Sequence, residues 1–175
     1  MIGKFIAAVI VVSGIIAGAA LYYLQVYAYY DRIVPNGSND VVLTLRQNST
    51  AQPIDYNNFK AIDSNSSPIR YRACFTTTAP IDALKNDYVI IKDAEPLVAP
   101  RWFECFDAKE IGAAIEKQQA TSFMSIENVT YGVDRVVTVL PDGRGFAWNR
   151  INRCGKVVFA GKPVPPNCPK PPESN

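Results

Sequence analysis

The sequence predicts an α+β protein: an N-terminal transmembrane helix followed by a small antiparallel-sheet domain with one main helix and disulfides. Three observations predict it. Phe5 to Tyr30 contains no charged residue. Beyond residue 40, short β-branched and aromatic runs alternate with turn formers, and one stretch, Asp107 to Gln119, has helical spacing. All four cysteines, Cys74, Cys105, Cys154 and Cys168, follow the apolar run and none lies inside it.

The chain's 175 residues suffice for one cored domain and not for two. Crossing a hydrocarbon core takes about 20 apolar residues, and a backbone in lipid must satisfy its own hydrogen bonds. Residues 5–30 are therefore expected to be a membrane-spanning helix. Lys4 and the small residues of Ala17-Gly18-Ala19 or Val26-Tyr27-Ala28 also suit a cleavable signal. The apolar run, however, continues through Leu21, Leu24 and Val26, past the roughly 7–15 residues of such a signal. A retained anchor is expected. Lys4 and the amino terminus are positive while Asp31 and Arg32 cancel, so residues 1–4 are expected to be cytoplasmic and residues 31–175 exported. Tyr22, Tyr23, Tyr27, Tyr29 and Tyr30 crowd the far end, where phenol rings with one wet edge suit the headgroup layer.

Residues 31–40 are turn formers and read as a linker. Residues 41–161 read as the domain. Val41 to Leu45 is a strand pattern, and residues 48–68, rich in Asn, Ser and Asp, read as a surface loop with a helical turn around Tyr56 to Ile62. Ile69 to Thr77 alternates as a strand with Arg70 and Arg72 on one face. Pro80 to Asn86 begins like a helix capped by Thr78, and Tyr88 to Ile91 is strand-like. In the main helix, Asp107 is placed to cap, Glu110 to complete a capping box, and Ile111, Ala114 and Ile115 to form the apolar stripe. Ala120 to Ile126 returns to strand character. Val133 to Leu140 and Gly145 to Ile151 flank Pro141-Asp142-Gly143-Arg144, a strong hairpin signal because glycine accepts the positive φ of a tight turn. Val157 to Ala160 reads as a last short strand. Residues 162–175 hold too much proline for helix or central strand and read as an extended tail.

An even cysteine count in an oxidising compartment implies two disulfides with three possible pairings. Cys74 and Cys105 share aromatic flanks, Tyr-Arg-Ala-Cys-Phe and Trp-Phe-Glu-Cys-Phe, which favours pairing them and leaves Cys154 and Cys168 to staple the tail.

The chemistry is bounded by an absence: the chain has no histidine. Ser-His-Asp and Cys-His pairs, imidazole bases and most zinc hydrolase sites are thereby excluded. No Cys-x-x-Cys pair exists. Glu104, Asp107 and Glu110 are the candidates for acid–base work, but acids at a helix start also suit the macrodipole. Arg144 at the hairpin tip is a candidate anion contact. Asn48, Asn65 and Asn128 match the glycosylation pattern, relevant only in a eukaryotic secretory route. No cofactor, metal or catalytic residue is assigned. A net charge of +2 with mixed signs does not support a nucleic-acid surface. In the helix, Gly14 and Gly18 form a small-x-x-x-small pair suited to close helix packing.

Taken together, Tyr22 to Tyr30, Ser67-Pro-Ile-Arg-Tyr-Arg-Ala-Cys-Phe75, Trp102-Phe-Glu-Cys-Phe-Asp107 and Pro141-Asp-Gly-Arg-Gly-Phe-Ala-Trp148 make the chain resemble an uncharacterised family of single-span proteins from alphaproteobacteria of the Rhodobacter and Roseobacter type. The resemblance covers nearly the whole chain. It implies a bacterial inner membrane with the domain in the periplasm, and carries no activity or catalytic residue. Members are sometimes labelled histidine kinase, which this sequence contradicts: it has no histidine to phosphorylate and no nucleotide-binding glycine boxes. The functional expectation is a non-enzymatic accessory subunit or assembly factor of a larger inner-membrane complex, respiratory or photosynthetic complexes being candidates by association. Its partners would be the lipid bilayer and another integral membrane protein. The rival expectations are a periplasmic sensor or ligand-binding module and, last, a carboxylate-based hydrolase.

Overall fold

The computed structural model describes residues 2–172. Of the segments expected from sequence, the first residue of the cytoplasmic end and the last three of the tail lie outside the described residues.

An α-helix, α1, runs over Ile2–Tyr23 and continues as a π-helical turn over Leu24–Ala28. It begins earlier and stops sooner than the expected 5–30. The combined helix Ile2–Ala28 is long and apolar enough to cross a membrane: its most apolar 18-residue stretch has mean hydropathy 2.4 and no buried residue. A helix apolar all round and exposed on every side has no protein core to bury it. Its outer surface suits lipid or another apolar helix.

The expected linker over 31–40 is a correction. After Tyr29 and Tyr30 the chain enters a strand at once: β1, Asp31–Ile33, pairs antiparallel with β4, Asn57–Asp63. Only residues 34–40 form a loop, closed where the Asp40 carboxylate accepts the Asn36 and Gly37 N–H groups at 2.8 and 3.1 Å. Tyr56 donates its hydroxyl to the same carboxylate.

The six-stranded antiparallel sheet has the order β1-β4-β5-β8-β7-β6, where β5 is Arg72–Thr76, β6 Thr121–Thr130, β7 Val133–Val139 and β8 Arg144–Ile151. A separate hairpin joins β2, Val42–Thr44, to β3, Ala51–Pro53. The helical turn expected at Tyr56 to Ile62 is strand β4 instead. Its Asn-rich start is weak strand sequence, and the pairing with β5 shifts register between Asn57 and Lys60, where Asn58 sits at φ 54°. An extra residue at an irregularity is how such a strand joins a sheet. The β7–β8 hairpin forms as expected, with Gly143 at φ 84° in its turn.

Side chains alternate across this sheet, giving two cores. One face carries Ala61, Ala73, Phe75, Val137 and Ala147 and packs on Val41 and Leu43 of the β2 region and on Leu84 of α2, Ile81–Asp87. Thr78 does not cap α2: Pro80 holds the N-cap position and no side-chain cap bond forms. The other face carries Ile62, Cys74, Val136, Phe146 and Trp148. It is covered by the segment 91–107 and by α3, Ala108–Glu116. Asp107 caps α3 as expected, accepting from the Lys109 and Glu110 N–H groups. Tyr88 to Ile91 makes only isolated bridges, Leu45 with Tyr88 and Ile90 with Phe123, not a strand.

Val157 to Ala160 is also corrected: the chain forms helix α4, Arg153–Val158, because the Asn152 side chain caps it through the Gly155 N–H at 3.0 Å. Cys74 is bonded to Cys105 and Cys154 to Cys168. The first bridge ties the covering segment to the sheet. The second ties the tail to α4.

Candidate functional site

The residues with the most unusual surroundings gather where the apolar helix meets the domain. The π-helical turn leaves its carbonyls displaced from the ordinary α-helical pattern, and Val26 there accepts a hydrogen bond from Trp102 Nε1 at 2.6 Å. The Trp102 ring stacks on Tyr27 at 6.3 Å and meets Tyr30 edge-on at 6.0 Å; Tyr27 in turn lies against Tyr22 and Tyr23. Such contacts contribute beyond simple burial, about 0.5–1.5 kcal/mol per pair. Trp102 stands three residues before Cys105, so the bridge to Cys74 fixes the segment that carries it.

Cations complete the junction. The Arg32 guanidinium lies 5.9 Å from the Trp102 ring centre. Arg70 lies over Tyr29 and Tyr30 at 6.0 and 5.5 Å. Arg70 and Arg72 do not share a strand face as expected: Arg70 precedes β5, and Arg72 is buried. Arg72 donates to the carbonyls of Ile69, Tyr71, Leu97 and Val98 at 2.7–3.0 Å and lies over the Phe106 ring. Burial pulls its pKa down to about 10, still charged at neutral pH. A buried guanidinium satisfied by four carbonyls acts as a staple, here joining β5 to the covering segment.

Beside Trp102 a groove of about 360 Å³ is lined by Arg32, Ile33, Phe59, Lys60, Ile62, Phe103 and Glu104. A larger groove of about 660 Å³ lies at the C-terminal end of β8, lined by Asp93, Glu95, Arg150, Arg153 and Lys156. There Arg150 is held to Asp93 at 3.0 Å, and that bond lowers the Asp93 pKa.

The sequence-derived candidates fall at separate places. Glu104 and Asp107 are exposed, and Asp107 is occupied as a helix cap. Glu110 does not reach back in a capping box; it takes Arg144 Nη1 at 2.9 Å, while Arg144 Nε is held by Asp142 at 2.8 Å. The proposed anion contact at Arg144 is therefore already filled by two carboxylates. Among the described residues no group of three His, Cys, Asp or Glu side chains is placed to hold a metal ion. Gly14 and Gly18 are open, with nothing within 4 Å of a Cβ built at either. Tyr22, Tyr23, Tyr27 and Tyr29 are exposed and Tyr30 half-buried around the helix exit. Sequence reading found the tyrosines but missed Trp102 and Arg70 as their neighbours, and Arg32 and Lys60 beside Trp102; an aromatic residue three before a cysteine was the available signal.

A family model described as "Family of unknown function (DUF6446)" matches residues 41–169, taking in both disulfides and leaving out the apolar helix and β1. The match covers most of the chain, and the chain belongs to this family. No curated protein and no solved structure matches it.

Proposed function

We propose that this DUF6446 protein is a non-enzymatic accessory subunit or assembly factor, anchored by α1 in a bacterial inner membrane with its disulfide-bonded domain in the periplasm. One observation carries the reading: the helix runs into the sheet with only Tyr29 and Tyr30 between them, and Trp102 clamps the joint. A long flexible linker would let the domain sweep a wide volume around its anchor, and none separates the two here. A domain joined stiffly to its membrane helix is instead suited to hold one position on a neighbour. The open Gly14–Gly18 face of α1 supplies a surface on which a second helix can pack closely. Two disulfides fit an exported domain, since they persist in oxidising compartments. Lys4 before the helix, against Asp31 and Arg32 after it, supports a cytoplasmic N-terminus. Respiratory and photosynthetic complexes are the partner class proposed.

The ligand-binding alternative has the groove beside Arg150 in its favour, but the central cation there is already paired with Asp93. Purification of the full chain in mild detergent tests the proposal. It is expected to migrate with a larger assembly, and replacing Gly14 and Gly18 by Leu is expected to release it as a protomer. Migration of the unmodified chain as a lone monomer overturns the reading.

A further inference from the structure

The groove beside Trp102 combines charge, depth and position in a way that specifies a ligand, and we infer that it binds the phosphate of an anionic phospholipid from the membrane leaflet at the helix exit. The inference rests on the membrane-anchored reading proposed above.

Position comes first. Counting about 1.5 Å per residue, the rise from Lys4 to Val26 is about 33 Å, just more than a hydrocarbon core of about 30 Å. Val26, whose carbonyl takes the Trp102 N–H, therefore marks the far headgroup layer. The groove opens beside that same indole ring. An indole with its N–H held and its face turned to a tyrosine is at home at this depth.

Charge follows from the sheet register. Arg32 stands opposite Ile62, and Lys60 is the next residue of β4 on the same face. Diagonal neighbours of this kind lie about 7–8 Å apart at the backbone, which lets two long cationic side chains converge on one phosphate. Alternation sends Asp31 and Asp63, paired with each other in the register, to the opposite face. Neither Arg32 nor Lys60 has a carboxylate within salt-bridge distance among the described residues. Glu104 is the one carboxylate lining the groove. The site is thus net positive and unneutralised, unlike Arg144 or Arg150 elsewhere on the domain.

Shape completes the match. About 360 Å³ lies at the small-ligand end of binding sites, enough for a headgroup with its glycerol. Phe103 and Trp102, on the face that carries Arg32 and Lys60, give that glycerol an apolar wall. Two cations opposed by one carboxylate imply about a fivefold local enrichment of anionic over zwitterionic lipid.

Trp102 reports on the site directly. The other tryptophan, Trp148, is fully buried and donates to the Glu95 carbonyl, out of reach of lipid. The full chain is reconstituted in phosphatidylcholine vesicles containing a minor share of phosphatidylglycerol, with shallow bromine labels on one lipid or the other. The expected result is that brominated phosphatidylglycerol quenches Trp102 about fivefold more per labelled lipid than brominated phosphatidylcholine, a preference lost in the R32Q/K60Q double variant. Equal quenching by both lipids overturns the inference and leaves the membrane anchor standing. A preference that survives the double variant also overturns it, since the selectivity then comes from elsewhere. Quenching by neither lipid overturns the membrane reading itself.

Discussion

Removing the Cys74–Cys105 bridge is the most informative single perturbation of the domain, because it separates the sheet from the layer that carries Trp102. The two bridges close loops of sequence separation 31 and 14. Chain-entropy loss alone assigns about 3.7 kcal/mol to the first and about 3.0 kcal/mol to the second. Cys74 is also 7 % exposed within the second core, so its replacement by Ala deletes a packed sulfur and adds about 1 kcal/mol. The sum for C74A/C105A is about 4–5 kcal/mol, which for a chain of this size corresponds to about 10 °C or more in Tm. Cys154 and Cys168 tie a proline-rich tail over α4 and touch neither core, so C154A/C168A should stay near its loop-entropy value. The assay is thermal unfolding of the full chain in detergent followed by near-ultraviolet circular dichroism, with tryptophan emission recorded below the transition. The core-bridge variant is expected to shift its emission to the red as Trp102 loosens from Tyr27; the tail variant is not. An equal or greater loss in the tail variant would refute the view that Cys74–Cys105 holds the two layers together.

Two further expectations concern single side chains. Burial raises the Asp63 pKa above its ordinary value, despite the opposing Ser64 N–H bond and the pull of Arg135 and Arg72. A carboxyl whose folded pKa is raised favours folding while protonated, so its contribution is present below the ordinary carboxylate pKa and lost as pH climbs through the raised value. Asp63→Asn keeps the acceptor for the Ser64 N–H and should flatten that part of the pH–stability profile while raising Tm at neutral pH; an unchanged profile contradicts the assignment. Gly145 stands opposite Phe75 in the β5–β8 pair, and a Cβ there would be built into the Phe75 ring. Gly145→Ala should cost about 1–3 kcal/mol by overpacking, read as a shift in denaturation midpoint, and Phe75→Leu should restore part of it.

Legibility in the sequence tracked how local each determinant was. The Asp142-Gly143 turn specified its hairpin because the positive φ and the flanking β-branched runs sit within a few residues of one another. Asp107 specified the start of α3 for the same reason. The strand β4 was hidden because Asn57 and Asn58 disfavour strand locally, and only pairing with β1 and β5 overrides them. Val157 and Val158 looked like strand, yet the Asn152 cap and the close packing of Gly155 on Gly132 set a helix.

The candidate site divides along the same line. The tyrosines at the helix exit were visible as a cluster because they are contiguous in a helix. Their partners Arg70 and Trp102 were not, since they come from two stretches of chain far from the tyrosines and from each other.

By itself the sequence determined a helix of membrane-crossing length, its aromatic exit, the hairpin at its turn and an oxidised, histidine-free domain, for each depends on composition or on spacing within a few residues. The tertiary structure alone decided that the start of the supposed linker, Asp31–Ile33, is the edge strand of the sheet, that Arg72 is buried and that Trp102 meets Val26. These are contacts between segments far apart in the chain, and no local pattern fixes which face each residue shows until the sheet register and the Cys74–Cys105 bridge bring those segments together.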